Sequence, residues 1–269
     1  MNGTVDYKVL HDGIISWIKG WFNANGNDET AAVIGISGGK DSTICAALLA
    51  EALGPKRVIG VMMPNGVQKD ISDSEKVIET LGIVGVTINI GDTYYSLSKE
   101  VLENIITPGK SGTSPTFATN TPARLRMVTL YGVAAQIGNA RVVNTCNLSE
   151  SIVGWETYGG DGFGDFSPLG RLTVTEVVGL GDYMKLPHEL VHKTPSDGMC
   201  GASDEDKFGF TYDFLDKVIR LEISSDEAAE NRGLIDKMLS MNAKSHFKHE
   251  NIRLPTYDPH FMIAPMFNW

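Results

Sequence analysis

The sequence feature that most constrains the fold is an apolar segment that runs directly into a glycine-rich turn. Residues 31–36 read Ala-Ala-Val-Ile-Gly-Ile, which is typical of a strand buried on both faces of a parallel sheet. Ser37-Gly38-Gly39-Lys40-Asp41-Ser42 follows, and a helix is predicted from about Asp41 to Leu53. Glycines let backbone amides approach an anion, and the positive end of a helix dipole favours negative charge. The segment therefore predicts a phosphate-binding turn.

Strand and helix patterns alternate along the rest of the chain. Further strands are predicted at Arg57 to Met63, Val86 to Ile90 and Arg141 to Thr145. Helices are predicted at Asp73 to Leu81, Asp92 to Ile106, Ala123 to Ile137, Val174 to Met184, Thr211 to Leu221 and Asp226 to Met241. Irregular loops are expected at about 107–122, 155–170 and 194–207. This alternation predicts a single α/β domain over residues 1–269, with a doubly wound, mostly parallel, Rossmann-like sheet that binds ligands at the carboxyl ends of its strands.

The overall charge bears on the class of partner. The chain has a formal net charge of −10, with 42% hydrophobic and 21% charged residues. Proteins that bind a nucleic-acid backbone do so through clustered Lys and Arg, so we expect no nucleic-acid partner. No stretch has the length and apolarity of a membrane span, so we expect a cytoplasmic protein without a membrane partner. Cys45, Cys146 and Cys200 lack metal-ligand spacing, and neither a disulfide framework nor a zinc site is predicted.

The turn differs from a Walker A motif. In that motif Gly-Lys is followed by Ser or Thr, whereas Lys40 is followed by Asp41, and the position of the earlier required glycine holds Ile34. We interpret the turn as a pyrophosphate cradle in which Ser37 and Ser42 donate hydroxyls. Asp41 then supplies a carboxylate for magnesium.

The turn resembles the SGGxDS loop of the ATP pyrophosphatases, and five further blocks resemble the NAD synthetases of that superfamily. The blocks are Asn120-Thr-Pro-Ala-Arg124-Leu-Arg126-Met127, Thr145-Cys-Asn-Leu-Ser-Glu150, Asp161-Gly-Phe-Gly-Asp165-Phe-Ser-Pro168-Leu169, Lys193-Thr-Pro195-Ser196 and Asp204-Glu205 with Gly209 and Tyr212. Together with the turn they cover most of residues 33 to 221. The resemblance implies ammonia-dependent amidation of deamido-NAD to NAD, with release of AMP and pyrophosphate, through an adenylated nicotinate.

The same resemblance implies cofactors, partners and site residues. ATP is the expected co-substrate, Mg2+ the expected cofactor and a homodimer the expected assembly. Asp41 and Glu150 are expected to act in catalysis as the magnesium ligands. The expected ATP contacts are Gly35, Ile36, Ser37, Gly38, Gly39, Lys40, Asp41, Ser42, Thr145 and Ser196. The expected deamido-NAD contacts are Arg124, Tyr158, Asp165 and Lys248.

Three positions depart from the family pattern. Val174 stands where the family usually has a lysine for ATP, and Tyr158 where many relatives place a lysine against the substrate. Phe247-Lys248 corresponds to the family's His-Lys pair. These departures predict that another cation compensates, or that the chain is a divergent branch with altered affinity. The candidate cations are Lys40, Lys185, Lys193 and Lys207.

Two further motifs resemble sites of other enzyme classes, and two alternative functions remain open. His188-Glu189-Leu190-Val191-His192 fits the HExxH pattern of zinc proteases, but Pro187 and Pro195 restrict the helix to barely two turns, so we interpret it as a short amphipathic helix. The segment around Cys200 resembles an incomplete glutaminase elbow, and we expect a free thiol there and free ammonia as nitrogen donor. The alternative functions are an ATP pyrophosphatase that adenylates a tRNA base or a purine nucleotide, and a catalytically inactive nucleotide-binding relative.

Overall fold

The computed structural model describes residues 5–68, 71–105, 112–193, 204–249 and 254–269. The strands are β1 Ala31–Gly35, β2 Val58–Met62, β3 Val84–Thr87 and β4 Ala140–Val142. The helices are α1 Tyr7–Asn25, α2 Lys40–Leu53, α3 Ile71–Leu81, α4 Gly91–Asn104, α5 Pro115–Ile137, α6 Leu148–Val153, α7 Val174–Tyr183, α8 His188–Val191, α9 Asp204–Phe208, α10 Tyr212–Arg220, α11 Ser225–Glu230 and α12 Arg232–Ser245. No helix in these ranges combines the length and apolarity needed to cross a bilayer.

The four strands form one parallel sheet in the order β3-β2-β1-β4. In chain order, β2 and then β3 lie on one side of β1, and β4 lies on its other side. Ala32 pairs with Val58 of β2 and with Arg141 of β4. The carboxyl ends of β1 and β4 therefore meet where the strand order reverses, which is the usual ligand crevice of such sheets. The predicted α/β fold with a parallel sheet is confirmed.

Helices cover both faces of this sheet. Ala32 and Ile34 of β1 belong to an apolar cluster with α1 and α2, which includes Ile18 and Leu48. Val33, which points to the other face, packs in a cluster with α5. All of these side chains are buried, and their removal from water is the main stabilising contribution to the sheet. The near-continuous apolar sequence of β1 follows from this double coverage.

A third apolar cluster lies apart from the sheet and supports α6. It combines residues of α6, α7, α10 and α12 with the aromatic residues around α9. Its fully buried members include Leu148, Ile152, Leu215 and Met238. This cluster fixes the orientation of the short helix that carries Glu150.

Two of the predicted loops are partly wrong. Helix α5 begins at Pro115, eight residues before the predicted start at Ala123, so residues 115–122 of the expected loop at 107–122 are helical. Ser114 caps the helix by accepting a hydrogen bond from the Phe117 amide at 3.1 Å, and Pro115 occupies its first turn, where its missing N–H costs little. Residues 204–207 of the loop expected at 194–207 belong to α9, while residues 106–111 and 194–203 lie outside the described ranges. The loop at 155–170 is irregular, as predicted.

Other boundaries differ in smaller ways. The strand predicted at Val86 to Ile90 is β3, at Val84–Thr87, although the amides of Ile88 and Ile90 still donate to the carbonyls of Met62 and Pro64 at 2.9 Å. The single helix predicted at Asp226 to Met241 is broken at Asn231, which ends α11 and precedes α12. Helix α1 was not among the predicted elements, although its buried side chains Leu10, Ile14, Ile18 and Phe22 follow helical spacing.

Candidate active site

The turn between β1 and α2 is held by its own side chains. Gly38 has φ +74°, and a Cβ there would lie 2.7 Å from Asp73 Cβ, so no other residue fits without displacement. The Ser37 amide donates to Ser42 Oγ at 3.3 Å, and the Gly39 amide donates to Ser37 Oγ at 3.2 Å. Gly39 is the N-cap of α2 and has no side chain to bond the first amides of the helix. An anion can therefore be bound by these amides.

Asn147 connects the two predicted magnesium ligands. Its side-chain amide donates to Asp41 Oδ1 at 3.0 Å, and its side-chain oxygen accepts a hydrogen bond from the Glu150 amide at 3.0 Å. The Asn147 amide in turn donates to Glu150 Oε2 at 3.3 Å, which completes a capping box at the start of α6. Lys40 Nζ lies 2.9 Å from the other oxygen of Asp41. The first turns of α2 and α6 are thus joined through one side chain.

The carboxylates Asp41 and Glu150 share a poorly hydrated region. Burial and the nearby charge of Asp41 raise the pKa of Glu150 well above its ordinary value. Burial opposes the charge of Lys40, but Asp41 and Glu150 outweigh it and raise the pKa of the ammonium group. The charge states of Lys40 and Glu150 are therefore linked.

The donor set fits magnesium. Mg2+ is commonly held by one or two carboxylates and completes its shell with phosphate oxygens and water. Asp41 and Glu150 provide two carboxylates beside the glycine-rich turn. Within the ranges that the structure describes, no group of three or more His, Cys, Asp or Glu gathers as a metal site. A cation held by only two carboxylates and a substrate triphosphate would not require such a group.

A cavity of about 750 Å³ opens at the carboxyl ends of β1, β2 and β4. Its lining includes Ser37, Ser42, Thr145, Met63 and Arg126. Its size suits a nucleotide-sized ligand. Asp41 and Glu150 are not among its lining residues. A nucleoside in the cavity would extend its phosphates along the turn toward the carboxylates.

Arg124 and Arg126 lie on different sides of α5. Residues two apart on a helix are separated by about 200° around its axis, so they cannot face the same space. Arg126 lines the cavity and donates from Nε to the Met63 carbonyl at 3.1 Å, and burial lowers the pKa of its guanidinium. Arg124 is exposed and donates from Nε to the Tyr158 carbonyl at 3.1 Å. Arg124 is the residue predicted as a substrate contact, and Arg126 was not predicted as a site residue.

The remaining predicted substrate residues lie around the glycine-rich segment at 155–170. Asp165 accepts hydrogen bonds from the Val142 amide at 2.7 Å and from Tyr131 OH at 3.0 Å. Lys248 donates to the carbonyls of Gly154 at 2.7 Å and Glu156 at 2.6 Å, and burial lowers its pKa. Asp165 and Lys248 therefore form hydrogen bonds chiefly with backbone groups, and Asp165 also with Tyr131.

Tyr158 is 39% exposed, and its ring lies near those of Phe163 and Phe247. Ser196, one of the predicted ATP contacts, lies outside the described residues.

Val174, at a position where the family resemblance leads us to expect a lysine, is part of a buried network. Val174 is 8% exposed, and its amide donates to Ser149 Oγ at 3.0 Å. Ser149 Oγ donates to Asp216, which also accepts from the amide and the hydroxyl of Thr175 at 2.8 and 2.7 Å. Burial raises the pKa of Asp216 to about 6. Asp216 thus ties α10 to α7 and to the helix that carries Glu150.

The HExxH segment forms a single helical turn, α8, of four residues. The rings of His188 and His192 stack with centroids 4.2 Å apart, and His192 Nε2 lies 2.8 Å from Asp182 Oδ1. Glu189 pairs with Lys76. Each of these polar groups has a protein partner that accounts for it. Cys200 lies outside the described residues.

Asn147 is a site residue that sequence reasoning missed, although a local signal existed. Asn147 is followed three positions later by Glu150, which is a capping-box spacing. The bond from Asn147 to Asp41 had no comparable signal, because the two residues are 106 positions apart.

Comparisons with known proteins show the family of the chain. The family model of NAD synthase matches residues 11–252. A protein of Pyrococcus horikoshii, named NH(3)-dependent NAD(+) synthetase, is 35% identical over 260 residues, which cover 93% of this chain and 94% of the relative. A protein of the same name from Methanococcoides burtonii is 39% identical over 219 residues, 80% of each chain.

Solved structures resemble the chain over most of its length. NMN synthetase from Francisella tularensis has a TM-score of 0.78 and 29% identity, covering 94% of this chain and 99% of that one. NH3-dependent NAD synthetase from Campylobacter jejuni has a TM-score of 0.69 and covers 93% and 99%, and at 23% identity it shows a shared fold. With the family model spanning most of the residues and relatives above 30% identity over nearly the whole length, the chain belongs to the NAD synthase family.

Proposed function

We propose that the cavity, the turn and the carboxylate pair perform the two stages of NAD synthesis. The chain is an ammonia-dependent NAD synthase, which amidates deamido-NAD with ammonia and consumes ATP. In the first stage a nicotinate carboxylate oxygen attacks the α-phosphorus of ATP and pyrophosphate leaves. In the second, ammonia attacks the carbonyl carbon of the adenylate and AMP leaves.

The residues of this chain have distinct parts in that scheme. The amides at the start of α2 and the hydroxyls of Ser37 and Ser42 bind the phosphates. Thr145 and Arg126 hold the nucleoside end in the cavity. Ser196 remains a proposed ATP contact. Asp41 and Glu150 hold magnesium, which when bound offsets negative charge on the phosphates.

The substrate side has direct and indirect contributors. Arg124 and Tyr158, which are exposed, contact deamido-NAD. Asp165 and Lys248, which bond to neighbouring backbone, position the glycine-rich segment that receives the substrate. The exposed side chains are thus assigned direct contacts, and the side chains that bond to the backbone are assigned positioning roles.

The observation that carries the proposal is the position of Asn147 beside the turn, where its side chain donates to the Asp41 carboxylate and its backbone amide donates to the Glu150 carboxylate. Its test is NAD formation and AMP release from deamido-NAD, ATP, magnesium and ammonium, with wild type and with Asp41→Asn and Glu150→Gln. These changes keep side-chain size and remove charge. Asp236→Asn, in an exposed pair with Arg232, is the matched control. Loss of activity in the first two variants alone is expected, whereas NAD formation by Glu150→Gln at the wild-type rate would contradict the metal assignment.

A second candidate substrate is the deamidated form of NMN. It is favoured by the similarity to the Francisella tularensis structure, which has a TM-score of 0.78 over 94% of this chain. Both candidates carry the same nicotinate carboxylate and differ only in the attached nucleotide. The ratio of kcat/KM for the two, measured in the same assay, decides between them. AMP release with neither would instead favour a different acceptor, and no AMP release at all an inactive relative.

We also propose a cytoplasmic homodimer that pairs through α4 and α5. Helix α4 contributes no buried residue, and Tyr95 on it is 71% exposed. Leu102 and Ile105, and Val128 of α5, are further exposed apolar residues. Tyr94 and Phe117 join the two helices at their base, with ring centroids 6.1 Å apart. Apolar area of this kind favours a protein interface, and a second copy is the occupant the family resemblance implies. Sedimentation equilibrium of wild type and Leu102→Glu tests it, since a wild-type monomer would contradict the proposal.

A further inference from the structure

The segment at residues 254–269 has no helix or strand of its own, yet it contacts several parts of the molecule. It begins beside the glycine-rich segment, where the Ser167 amide donates to the Pro255 carbonyl at 2.9 Å. It continues past α10, where the Ala264 amide donates to the Ile219 carbonyl at 2.8 Å. Its last residues lie against α12. The segment therefore reaches from the substrate side of the site to the apolar cluster that supports α6.

Asn242 of α12 is the residue through which this segment meets α6. Asn242 is 3% exposed, and its side-chain amide donates to the carbonyls of Ile152 at 2.9 Å and Asn268 at 3.1 Å. Its side-chain oxygen accepts a hydrogen bond from the Asn268 amide at 2.8 Å. Both donor hydrogens of the side chain are thus used. Because Asn268 offers one donor and one acceptor, it fixes the plane of the Asn242 amide group and leaves the second hydrogen for Ile152.

The carbonyl of Ile152 needs this donor. The last four carbonyls of a helix have no partner within it, and α6 has only six residues. Ile152 is fully buried, so a carbonyl without a donor there would be costly. Glu150 lies two residues before Ile152, and its own carbonyl accepts from the Trp155 amide at 2.8 Å. Loss of the donor would therefore loosen the turn of α6 that includes Glu150.

A close contact holds the same end of α6 against α12. Gly154, which ends α6, has φ +69°, and a Cβ there would lie 2.1 Å from Ser245 Cβ. Ser245 follows Asn242 by about one helical turn, so both residues face the end of α6. The opposite end is held by the capping box that Asn147 forms with Glu150. The position of Glu150 therefore depends on contacts at both ends of a short helix.

We propose that Asn242 is a positioning residue for Glu150, and that the backbone of Asn268 holds Asn242 in the orientation this requires. The inference rests on the proposed function, in which Glu150 holds magnesium. Asn242 acts only through α6, by bonding the Ile152 carbonyl. The segment that supplies Asn268 lies beyond residues 11–252, which the family model matches. The site carboxylate is thus placed by a part of the chain far from it in sequence.

The first test compares two changes at one exposed position. Asn268→Pro removes the amide that donates to Asn242, whereas Asn268→Ala keeps the backbone N–H and is the matched control, because the Asn268 side chain is exposed. Hydrogen exchange of residues 148–155 is measured in the ligand-free protein. Asn268→Pro should speed their exchange about five- to tenfold, the effect of one lost hydrogen bond, and leave exchange in α2 unchanged. Asn268→Ala should match wild type.

The second test connects α6 to the reaction through kinetics. Asn242→Ala and Asn268→Pro should lower kcat about fivefold or more and raise the magnesium concentration for half-maximal rate, with the KM for ATP within about twofold of wild type. Ile18→Val, which shortens a buried side chain in the cluster of α1 and α2, is the control for lost stability. It should lower the melting temperature without changing the magnesium dependence.

Three results would overturn the positioning role. One is equal exchange of residues 148–155 in Asn268→Pro and Asn268→Ala. Another is faster exchange with unchanged kcat and magnesium dependence, because the contact would then not reach Glu150. The third is the same magnesium dependence in Ile18→Val as in Asn268→Pro, which would mean a general loss of stability. Wild-type activity of Glu150→Gln is a separate result, which concerns the proposed function, since the exchange measurement does not depend on turnover.

Discussion

The turn with the carboxylate pair and the glycine-rich segment at 155–170 hold their charged groups in different ways. In the first region, Asp41 contacts both Lys40 and Asn147. In the second, Asp165 and Lys248 contact mainly backbone groups. Charges that face each other are preorganised for a ligand, whereas charges that bond to backbone fix the path of the chain. The comparison suggests that the first region performs the chemistry and the second shapes the space in which the substrate lies.

The largest expected effect is the loss of a carboxylate from the first region. Asp41→Ala or Glu150→Ala should lower turnover at least ~100-fold, about 3 kcal/mol, because one electrostatic stabiliser of the reacting phosphates is removed. The melting temperature of the ligand-free protein should hardly change. Asp161→Ala, at the glycine-rich segment, should have a milder effect on turnover. Steady-state kinetics with thermal melting checks this, and a larger loss for Asp161→Ala would reverse the comparison.

The next largest effect is expected at Asp216, which supports the helix that carries Glu150. It is a change in how the free energy of unfolding depends on pH. The pKa of Asp216 is raised to about 6 in the folded protein, above its ordinary value of 3.8, and the charge of Glu176 adds to the effect of burial. A raised carboxyl pKa contributes stability that is complete below about pH 4 and is lost as the pH rises through about 6.

Relative to Asp216→Asn, wild type should therefore lose up to about 3 kcal/mol of unfolding free energy between pH 4 and 6. Urea unfolding at four pH values from 4 to 7 measures it. Asp236→Asn should keep the wild-type pH profile, since Asp236 is exposed. Parallel curves for wild type and Asp216→Asn would show that this carboxyl group does not titrate as described.

Substitutions of the two arginines of α5 should affect the KM values of the two substrates separately. Arg126→Met should raise the KM for ATP about tenfold, because a charged cavity-lining donor is lost. Arg124→Met should raise the KM for deamido-NAD and leave that for ATP unchanged. Each variant is the control for the other, and a rise in both KM values for either one would mean that the regions are not distinct.

The smallest expected effect lies at Lys248, which bonds to the carbonyls of Gly154 and Glu156. Lys248→Met should lower the unfolding free energy by about 1 kcal/mol, with kcat within about threefold of wild type. Melting and kinetics on the same samples check it. A tenfold fall in kcat without loss of stability would indicate that Lys248 touches the substrate directly.

Local chemistry explains what could be predicted from sequence. The turn at 37–42 was predictable because strand, glycines and helix start are consecutive. The start of α5 was mispredicted because Pro115 and Pro122 were interpreted as loop residues, whereas Pro115 fits the first turn and Pro122 is accommodated inside the helix. Arg126 and Asn147 were missed for a different reason. Their roles depend on which face of a helix meets the cavity and on a contact with a distant residue, and neither is written in the local pattern.

The bridge between Asn147 and Asp41 has a consequence for the order of events during folding. It closes a loop of 106 residues and depends on β4 having paired with β1. Strands β1, β2 and β3 with α2 and α3 are joined by shorter connections, and shorter loops cost less entropy to close. A chain arrested at that stage would already have the glycine turn but only one of its two carboxylates in place. Metal affinity measured during refolding would therefore increase only when β4 pairs with β1. This increase would come later than the formation of the rest of the sheet.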